Sequence, residues 1–276
     1  MKTKRIHRTA IAAIAAAAVI SLLTLPVQAG TPAPERIAKN GKIVFCTDVS
    51  FPPFEYFDPQ TNEPAGFDID IGKALAAEMG IKSEHKNIAF DGLIPALQAG
   101  QCDAILSGLF DKPARREVLD FVNYAYVGNA VIVKADSPLK FDALTDISGK
   151  AVAVESGSTL EQDLVDANTK LAASGKAPIK IVALPKASDA FQQLTTGLVD
   201  IYYGSTVQEA YFNSQNAGQV KLASPQTSAF YTGVGTLKKD SDLHAALAAA
   251  FKAIQASGEY DKIVKAWKFD AMAYKP

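Results

Sequence analysis

The sequence has few of the side chains that bind metal ions. Its 276 residues include 2 cysteines and 3 histidines. Outside the N-terminal leader only His85 and His244 remain, and neither lies near a cysteine with the spacing that zinc sites use. We therefore expect neither a bound metal ion nor another cofactor.

The chain also lacks an excess of positive charge. It has 28 basic and 29 acidic residues, and loss of residues 1–29 with their four basic side chains would leave 24 against 29, a net charge of −5. A mildly acidic chain without basic clusters is poorly suited to bind nucleic acid or an anionic membrane. The remaining length is sufficient for one large domain or for two lobes with their own cores.

Residues 1–29 have the pattern of a secretory signal peptide. Four basic residues precede an apolar run over 10–25, which closes in the small-residue site Val27-Gln28-Ala29. A membrane anchor is the alternative, but the run is shorter than the roughly 20 residues that span a bilayer. We expect cleavage after Ala29 and export to the periplasm.

The two cysteines, Cys46 and Cys102, would usually pair in an exported protein. However, Cys46 lies late in one predicted strand and Cys102 at the start of another. If these strands are parallel neighbours, an offset of about three residues at ~3.3 Å each holds the sulfurs apart. We therefore predict two free, buried thiols.

Apolar segments with strand and helix patterns alternate along the chain. The predicted strands cover 42–48, 83–89, 103–107, 131–133, 151–154, 179–184 and 199–203. The predicted helices cover 68–79, 91–100, 159–173 and 188–196, and two further apolar stripes begin at 243 and 260. Such alternation is typical of α/β folds with parallel sheets flanked by helices.

Several short motifs occur together in one order along the chain. They are Asp48-x-x-Phe51-Pro-Pro-Phe54-Glu55, Gly66-Phe-Asp-Ile-Asp70, Gly92-Leu-Ile-Pro-Ala-Leu-Gln98-x-Gly100, Ser107-Gly108, Arg115, Asp120-Phe121 and Ser156-Gly157-Ser158. This set closely resembles the periplasmic amino-acid-binding proteins of ABC importers, solute-binding family 3. The similarity covers essentially the whole chain after the leader.

The resemblance implies an α/β fold of the type II periplasmic binding protein class, in which two lobes close over a ligand in the cleft. The chain would cross between the lobes near 125–129 and 228–232, which form a hinge. One lobe would contain residues 30–125 and 233–276, and the other residues 126–232. The implied partners are a small amino-acid-like ligand and an inner-membrane ABC permease. We expect a monomeric binding protein and not an enzyme.

The resemblance also assigns roles to individual residues. Arg115 aligns with the guanidinium that grips the ligand carboxylate, a contact that lysine cannot reproduce. Ser158 and Thr159 open a helix whose N–H groups could face the same anion, although an ordinary helix cap is the alternative. Asp48 would reach into the cleft unless it only caps the following turn. The expected ligand-binding residues are Asp48, Phe51, Phe90, Gly108, Phe110, Arg115, Glu155, Ser158, Thr159 and Ser205.

The sequence departs from the family pattern at the site for the ligand ammonium. The backbone carbonyl position is Gly108, but Phe110 replaces a hydroxyl and Ser205 replaces a carboxylate. Phe51, Phe90 and Phe110 could form a cage of aromatic rings around a cation, similar to the ectoine-type members of the family. This favours a compact zwitterion or organic acid with a substituted, cyclic or delocalised cation, whose charge Asp48 would offset.

Three alternatives remain. The ligand could be a standard α-amino acid in a variant pose that uses Tyr202, Tyr203 or Glu155. The same fold also occurs in cyclohexadienyl dehydratases, for which Glu155 could supply the acid. Some accessory partners of periplasmic quinoprotein dehydrogenases resemble this fold as well, with eroded ligand sites.

Overall fold

The computed structural model describes residues 31–275 of the chain. The predicted signal peptide and its cleavage after Ala29 lie outside these residues. Within them, no helix combines the length and the apolar composition needed to cross a membrane.

Nine α-helices and twelve strands form within the described residues. The helices are α1 (Glu35–Asn40), α2 (Phe67–Glu78), α3 (Leu93–Gln98), α4 (Pro113–Arg116), α5 (Thr159–Ala173), α6 (Ala187–Thr196), α7 (Thr206–Gln215), α8 (Ser241–Ala256) and α9 (Glu259–Ala266). The strands are β1 (Lys42–Thr47), β2 (Ser50–Phe51), β3 (Glu55–Phe57), β4 (Pro64–Ala65), β5 (Lys82–Asn87), β6 (Ala104–Ile105), β7 (Leu119–Lys134), β8 (Ala151–Glu155), β9 (Lys180–Leu184), β10 (Ile201–Ser205), β11 (Val220–Leu222) and β12 (Ser228–Leu237).

Two α/β lobes share one continuous sheet with the order β5-β1-β6-β12-β7-β10-β8-β9, and β11 also pairs with β7. The strands toward both ends of this order are parallel, as the alternation of strands and helices predicted. β7 and β12 are antiparallel to each other in the middle. Each parallel group therefore belongs to one lobe, and the two long strands join the lobes.

The predicted chain crossings lie on this central pair of strands. Thr232 pairs with Ala125 and Ser228 with Asn129, and the register shifts between Thr232 and Gly233. Residues 125–129 and 228–232 thus face each other along one ladder. The division into residues 30–125 with 233–276, and 126–232, remains a proposal.

The C-terminal helices cover the first lobe with the apolar stripe that the sequence predicted. Leu243, Leu247, Phe251 and Ile254 of α8 are all buried. Their spacing of three or four residues places them on one helix face. That face packs on α2 and β7.

The prediction of two free thiols is wrong, because Cys46 and Cys102 form a disulfide with their Cα atoms 5.6 Å apart. The neighbouring strands are parallel as expected, and Cys46 pairs with Ile105. However, β6 begins only at Ala104, so Cys102 lies in the bend before the strand. The offset of about three residues along two straight strands does not apply to a residue in a bend.

We expect the disulfide to contribute about 2–4 kcal/mol to the free energy of unfolding, because it closes a loop with a sequence separation of 56. Urea unfolding of Cys46→Ala/Cys102→Ala should show a loss of this size. Dithiothreitol should destabilise the natural chain and leave the double variant unchanged. This expectation would be contradicted if dithiothreitol left the urea midpoint of the natural chain unchanged.

Candidate ligand-binding site

The ends of β1, β6 and β8 meet between the two lobes around a cavity. The space open to the centre of a water-sized sphere is about 20 Å³, and the lining residues are Phe51, Phe90, Ser107, Gly108, Phe110, Arg115, Glu155, Ser158, Thr159 and Leu160. Eight of the ten residues expected from the sequence are in this set. Asp48 lies directly beside it, in contact with Phe90 and Glu155. The enclosed space holds about one water molecule, so a solute requires the lobes to lie further apart.

Arg115 places a cation at the cavity. It lies in the single turn of α4, where its Nη1 donates a hydrogen bond to the carbonyl of Phe110 over 3.0 Å. Its Cζ also lies 5.3 Å from the centroid of the Phe90 ring. Burial lowers the pKa of Arg115 to about 10, and the charge of Glu155 opposes this shift. Among residues 31–275 no carboxylate comes within 4.0 Å of its guanidinium nitrogens, so the group can accept an anion.

The N-terminus of α5 borders the cavity from the other lobe. The Ser158 hydroxyl accepts a hydrogen bond from the Glu161 N–H at 3.1 Å and donates to the Glu155 carbonyl at 2.7 Å. Its side chain therefore has the helix-cap role that was the alternative in the sequence. Ser158 and Thr159 still line the cavity, so the positive end of the helix dipole faces the same space as Arg115.

Asp48 and Glu155 bring two carboxyl groups together from opposite lobes. Asp48 Oδ2 accepts a hydrogen bond from the Phe90 N–H at 2.9 Å, and Glu155 Oε1 accepts one from the Ala187 N–H at 3.1 Å. Their carboxyl groups lie within hydrogen-bonding range of each other, and a hydrogen bond between them requires a proton on one of them. Burial is the main cause that raises the pKa of Asp48 to about 6. Burial and then the charge of Asp48 raise the pKa of Glu155 well above its usual range.

A second pair of acids lies behind the cavity wall, and the sequence reasoning missed its role. Glu55 Oε1 accepts a hydrogen bond from the Ser107 hydroxyl at 2.9 Å, and Asp68 Oδ2 accepts one from the Gly108 N–H at 2.7 Å. Both carboxyl groups are fully buried, and burial raises both pKa values. The pair fixes the backbone that lines the cavity at 107–108. In the sequence, the acids that directly follow apolar residues in Phe54-Glu55 and Phe67-Asp68 could have indicated this buried pair.

The three phenylalanines of the predicted cage all line the cavity. Phe51 packs against Phe54, which is fully buried in the core, and Phe110 packs against Phe230. The Arg115 guanidinium lies over the Phe90 ring, so this ring already contacts a cation of the protein.

Ser205 and the two tyrosines do not line the cavity. The Ser205 hydroxyl is buried without a hydrogen-bond partner. The Tyr202 hydroxyl donates to Gln208 Oε1 at 3.0 Å, and the Tyr203 hydroxyl lies 2.7 Å from that of Thr227. Of the polar groups considered for a variant amino-acid pose, only Glu155 lines the cavity.

The lobes touch each other around the cavity. The Ser50 hydroxyl of the first lobe accepts a hydrogen bond from the Ala187 N–H of the second lobe at 3.1 Å. A Cβ atom at Gly157 would lie 2.7 Å from Asp91 Cβ and 2.9 Å from its Cα. Only glycine allows this approach, so the cleft is closed.

A closed cleft between two α/β lobes, with an unpaired guanidinium and two acids at one small cavity, is the arrangement of a solute-binding protein. The chain belongs to the bacterial extracellular solute-binding proteins, family 3, whose sequence profile matches residues 43–271.

Named relatives extend over most of the chain. The "ABC transporter arginine-binding protein 1" of Escherichia coli K12 is 31% identical over 82% of this chain and 90% of that protein. A structure of "an ancestral arginine-binding protein bound to arginine" has a TM-score of 0.76 and 32% identity, and covers 82% of this chain and 98% of the other. The "ancestral amino acid-binding protein AncCDT-1, a precursor of cyclohexadienyl dehydratase" has a TM-score of 0.75 and 30% identity, with 84% and 97% covered.

We expect Gly157→Ala to hold the lobes apart, because its Cβ atom would overlap Asp91 in the closed cleft. Gly218→Ala is the matched control, since Gly218 has φ +69° against +70° at Gly157 but has no atom within 4 Å of its Cβ position. Small-angle X-ray scattering should give a larger radius of gyration for Gly157→Ala than for Gly218→Ala. Equal radii would show that this contact does not limit closure.

Proposed function

We propose that this chain is the periplasmic binding component of an ABC importer and that its ligand is a small amino-acid-like zwitterion or organic acid. Arg115 carries this proposal, because its cation borders the cavity without a carboxylate partner among the described residues. The ligand carboxylate would lie between Arg115 and the N-terminus of α5, which come from opposite lobes. Binding would thereby connect the lobes, and the cognate permease would read the closed form.

The cation of the ligand would lie among Phe51, Phe110 and the two acids. The sequence left the ammonium site without a carboxylate at Ser205, but Asp48 and Glu155 supply negative charge at another position. A cation on an aromatic face gains roughly 2 kcal/mol when it is desolvated, and delocalised groups suit such a face. A guanidinium or a substituted ammonium meets both conditions. The names of the arginine-binding relatives agree with this class of solute.

Calorimetry with L-arginine, L-histidine, glycine betaine, ectoine and L-alanine tests this function. We expect a solute with a carboxylate and a delocalised or substituted cation to bind more tightly than L-alanine. Arg115→Lys should weaken binding about 30-fold or more, because a buried bidentate charge pair contributes about 2 kcal/mol or more. The neighbouring Arg116→Lys should have little effect, since Arg116 is exposed and bonds to Asp111.

Two results would contradict the proposal. One is an affinity that Arg115→Lys leaves unchanged. The other is a failure of the natural chain to bind any carboxylate-bearing solute, which would favour an accessory protein of a periplasmic dehydrogenase.

A dehydratase is the second candidate function, because burial favours a protonated Glu155 at the cavity and a protonated carboxyl group can act as a general acid. We nevertheless propose a binding protein, since the Glu155 carboxyl is hydrogen-bonded to Asp48 and to the Ala187 N–H. Incubation with prephenate or arogenate should therefore give no aromatic product, by ultraviolet absorbance. Turnover that Glu155→Gln abolishes would instead establish the enzyme.

A further inference from the structure

Asp48 and Glu155 form the contact between titratable groups of opposite lobes at the cavity. Asp48 follows β1 and is 2% exposed, whereas Glu155 ends β8 and is 7% exposed. The Phe90 N–H donates a hydrogen bond to the Asp48 carboxyl, and the Ala187 N–H donates one to the Glu155 carboxyl. Ala187 also donates to Ser50, two residues beyond Asp48, which holds the two chain segments together.

Charged and titratable groups surround this pair on every side. Lys186 faces Asp48 and favours its charged form, while Glu55 lies near Asp48 from the buried side of the first lobe. Arg115 faces Glu155 and favours its charged form, and Tyr202 lies near Glu155 within the second lobe. The two cations do not outweigh burial, since the pKa values of both acids are raised.

Two carboxyl groups in hydrogen-bonding contact out of water cannot both be ionised, so they share one proton. The contact exists only when the lobes meet, because each lobe supplies one acid. Closing the lobes with this contact intact therefore requires a proton, unless another cation takes its place between the acids.

We propose that the Asp48–Glu155 pair exchanges its shared proton for a cation of the solute, and that it thereby matches the cleft to the net charge of the ligand. This inference rests on the proposed function, in which the ligand carboxylate binds Arg115. It adds a role in proton exchange for Asp48 and Glu155, which the binding of the ligand carboxylate to Arg115 does not require.

The charges of the closed cleft support this exchange. Lys186 is exposed to solvent and does not line the cavity, so the balance concerns the pair and Arg115. With the shared proton, one negative charge on the pair balances Arg115, and a zwitterion of net charge zero leaves the cleft neutral. Without the proton, the pair carries two negative charges, and a solute of net charge +1 restores neutrality. L-Arginine and its neutral isostere L-citrulline differ by that one charge.

The proton balance gives a measurable difference between these two solutes. L-Citrulline binds with the proton kept on the acids, whereas L-arginine binds with that proton in the buffer. Binding of L-citrulline should therefore take up about one more proton than binding of L-arginine. This difference is the same whether the lobes are open or closed before binding.

The pH dependence has a definite sign. Contact raises the pKa of the pair, so protonation stabilises the closed cleft around a zwitterion, and this stabilisation is lost as the pH rises toward the raised pKa of Glu155. Over the pH range in which the pair keeps its proton around L-citrulline, the affinity for L-citrulline relative to L-arginine should fall by up to tenfold for each unit of pH, as expected for one proton.

Calorimetry in phosphate and in Tris, whose ionisation enthalpies differ, measures the protons exchanged with each solute. The natural chain should show a difference of about one proton. Glu155→Gln should abolish that difference and the pH dependence, because glutamine cannot release a proton. Asp163→Asn should keep both, since Asp163 is another partly buried acid of raised pKa that does not line the cavity. Equal proton counts for the two solutes in the natural chain would overturn the inference.

Infrared spectroscopy tests the pair without a ligand. Below the raised pKa of Glu155, the natural chain should show the C=O stretch of a protonated carboxylic acid that is missing in Glu155→Gln. If this band is present but neither solute binds, the proton is confirmed and the proposed ligand class fails. If the band is absent in a sample whose radius of gyration shows closed lobes, the shared proton is refuted whatever the ligand proves to be.

Discussion

The closed cleft buries two carboxyl groups near a guanidinium that has no carboxylate partner among the described residues, and the balance of these charges is the constraint on which the site depends. Arg115 is held by the Phe110 carbonyl and the Phe90 ring instead of by an acid. Asp48 and Glu155 contact each other across the lobes. An uncompensated buried charge costs several kcal/mol. On the proposed function, the carboxylate of the solute would compensate Arg115 and connect the lobes.

The wall behind the cavity also contains buried acids whose polar atoms need partners. Glu55 and Asp68 are buried acids whose partners are Ser107, Gly108 and Tyr124. Their hydrogen bonds hold the turn after β6 at the position where Phe51 and Phe110 can face the ligand. The disulfide of Cys46 braces the strand that ends at Asp48. The first lobe thus presents a surface held by hydrogen bonds and a disulfide, and Glu155 and α5 of the second lobe lie against it.

Residues with a local pattern could be predicted from the sequence, whereas contacts between distant segments could not. The apolar stripe of α8 and the position of Arg115 at the cavity follow from spacing and from the family motifs. The disulfide was missed because the bend at 101–103 gives no apolar pattern. The contact of Asp48 with Glu155 joins residues 107 positions apart in different lobes, and only the closed cleft brings them together. Conversely, the substitution at Ser205 suggested a loss of negative charge that Glu155 offsets from another strand.

A crystal structure of the protein purified with its natural solute would test the central claim most directly. The account predicts a single small molecule in the cavity between the lobes, with a carboxylate within hydrogen-bonding distance of Arg115 and of the first turn of α5. Its positive group should face Asp48 and Glu155. A solute bound elsewhere, or one whose carboxylate does not contact Arg115, would contradict the account.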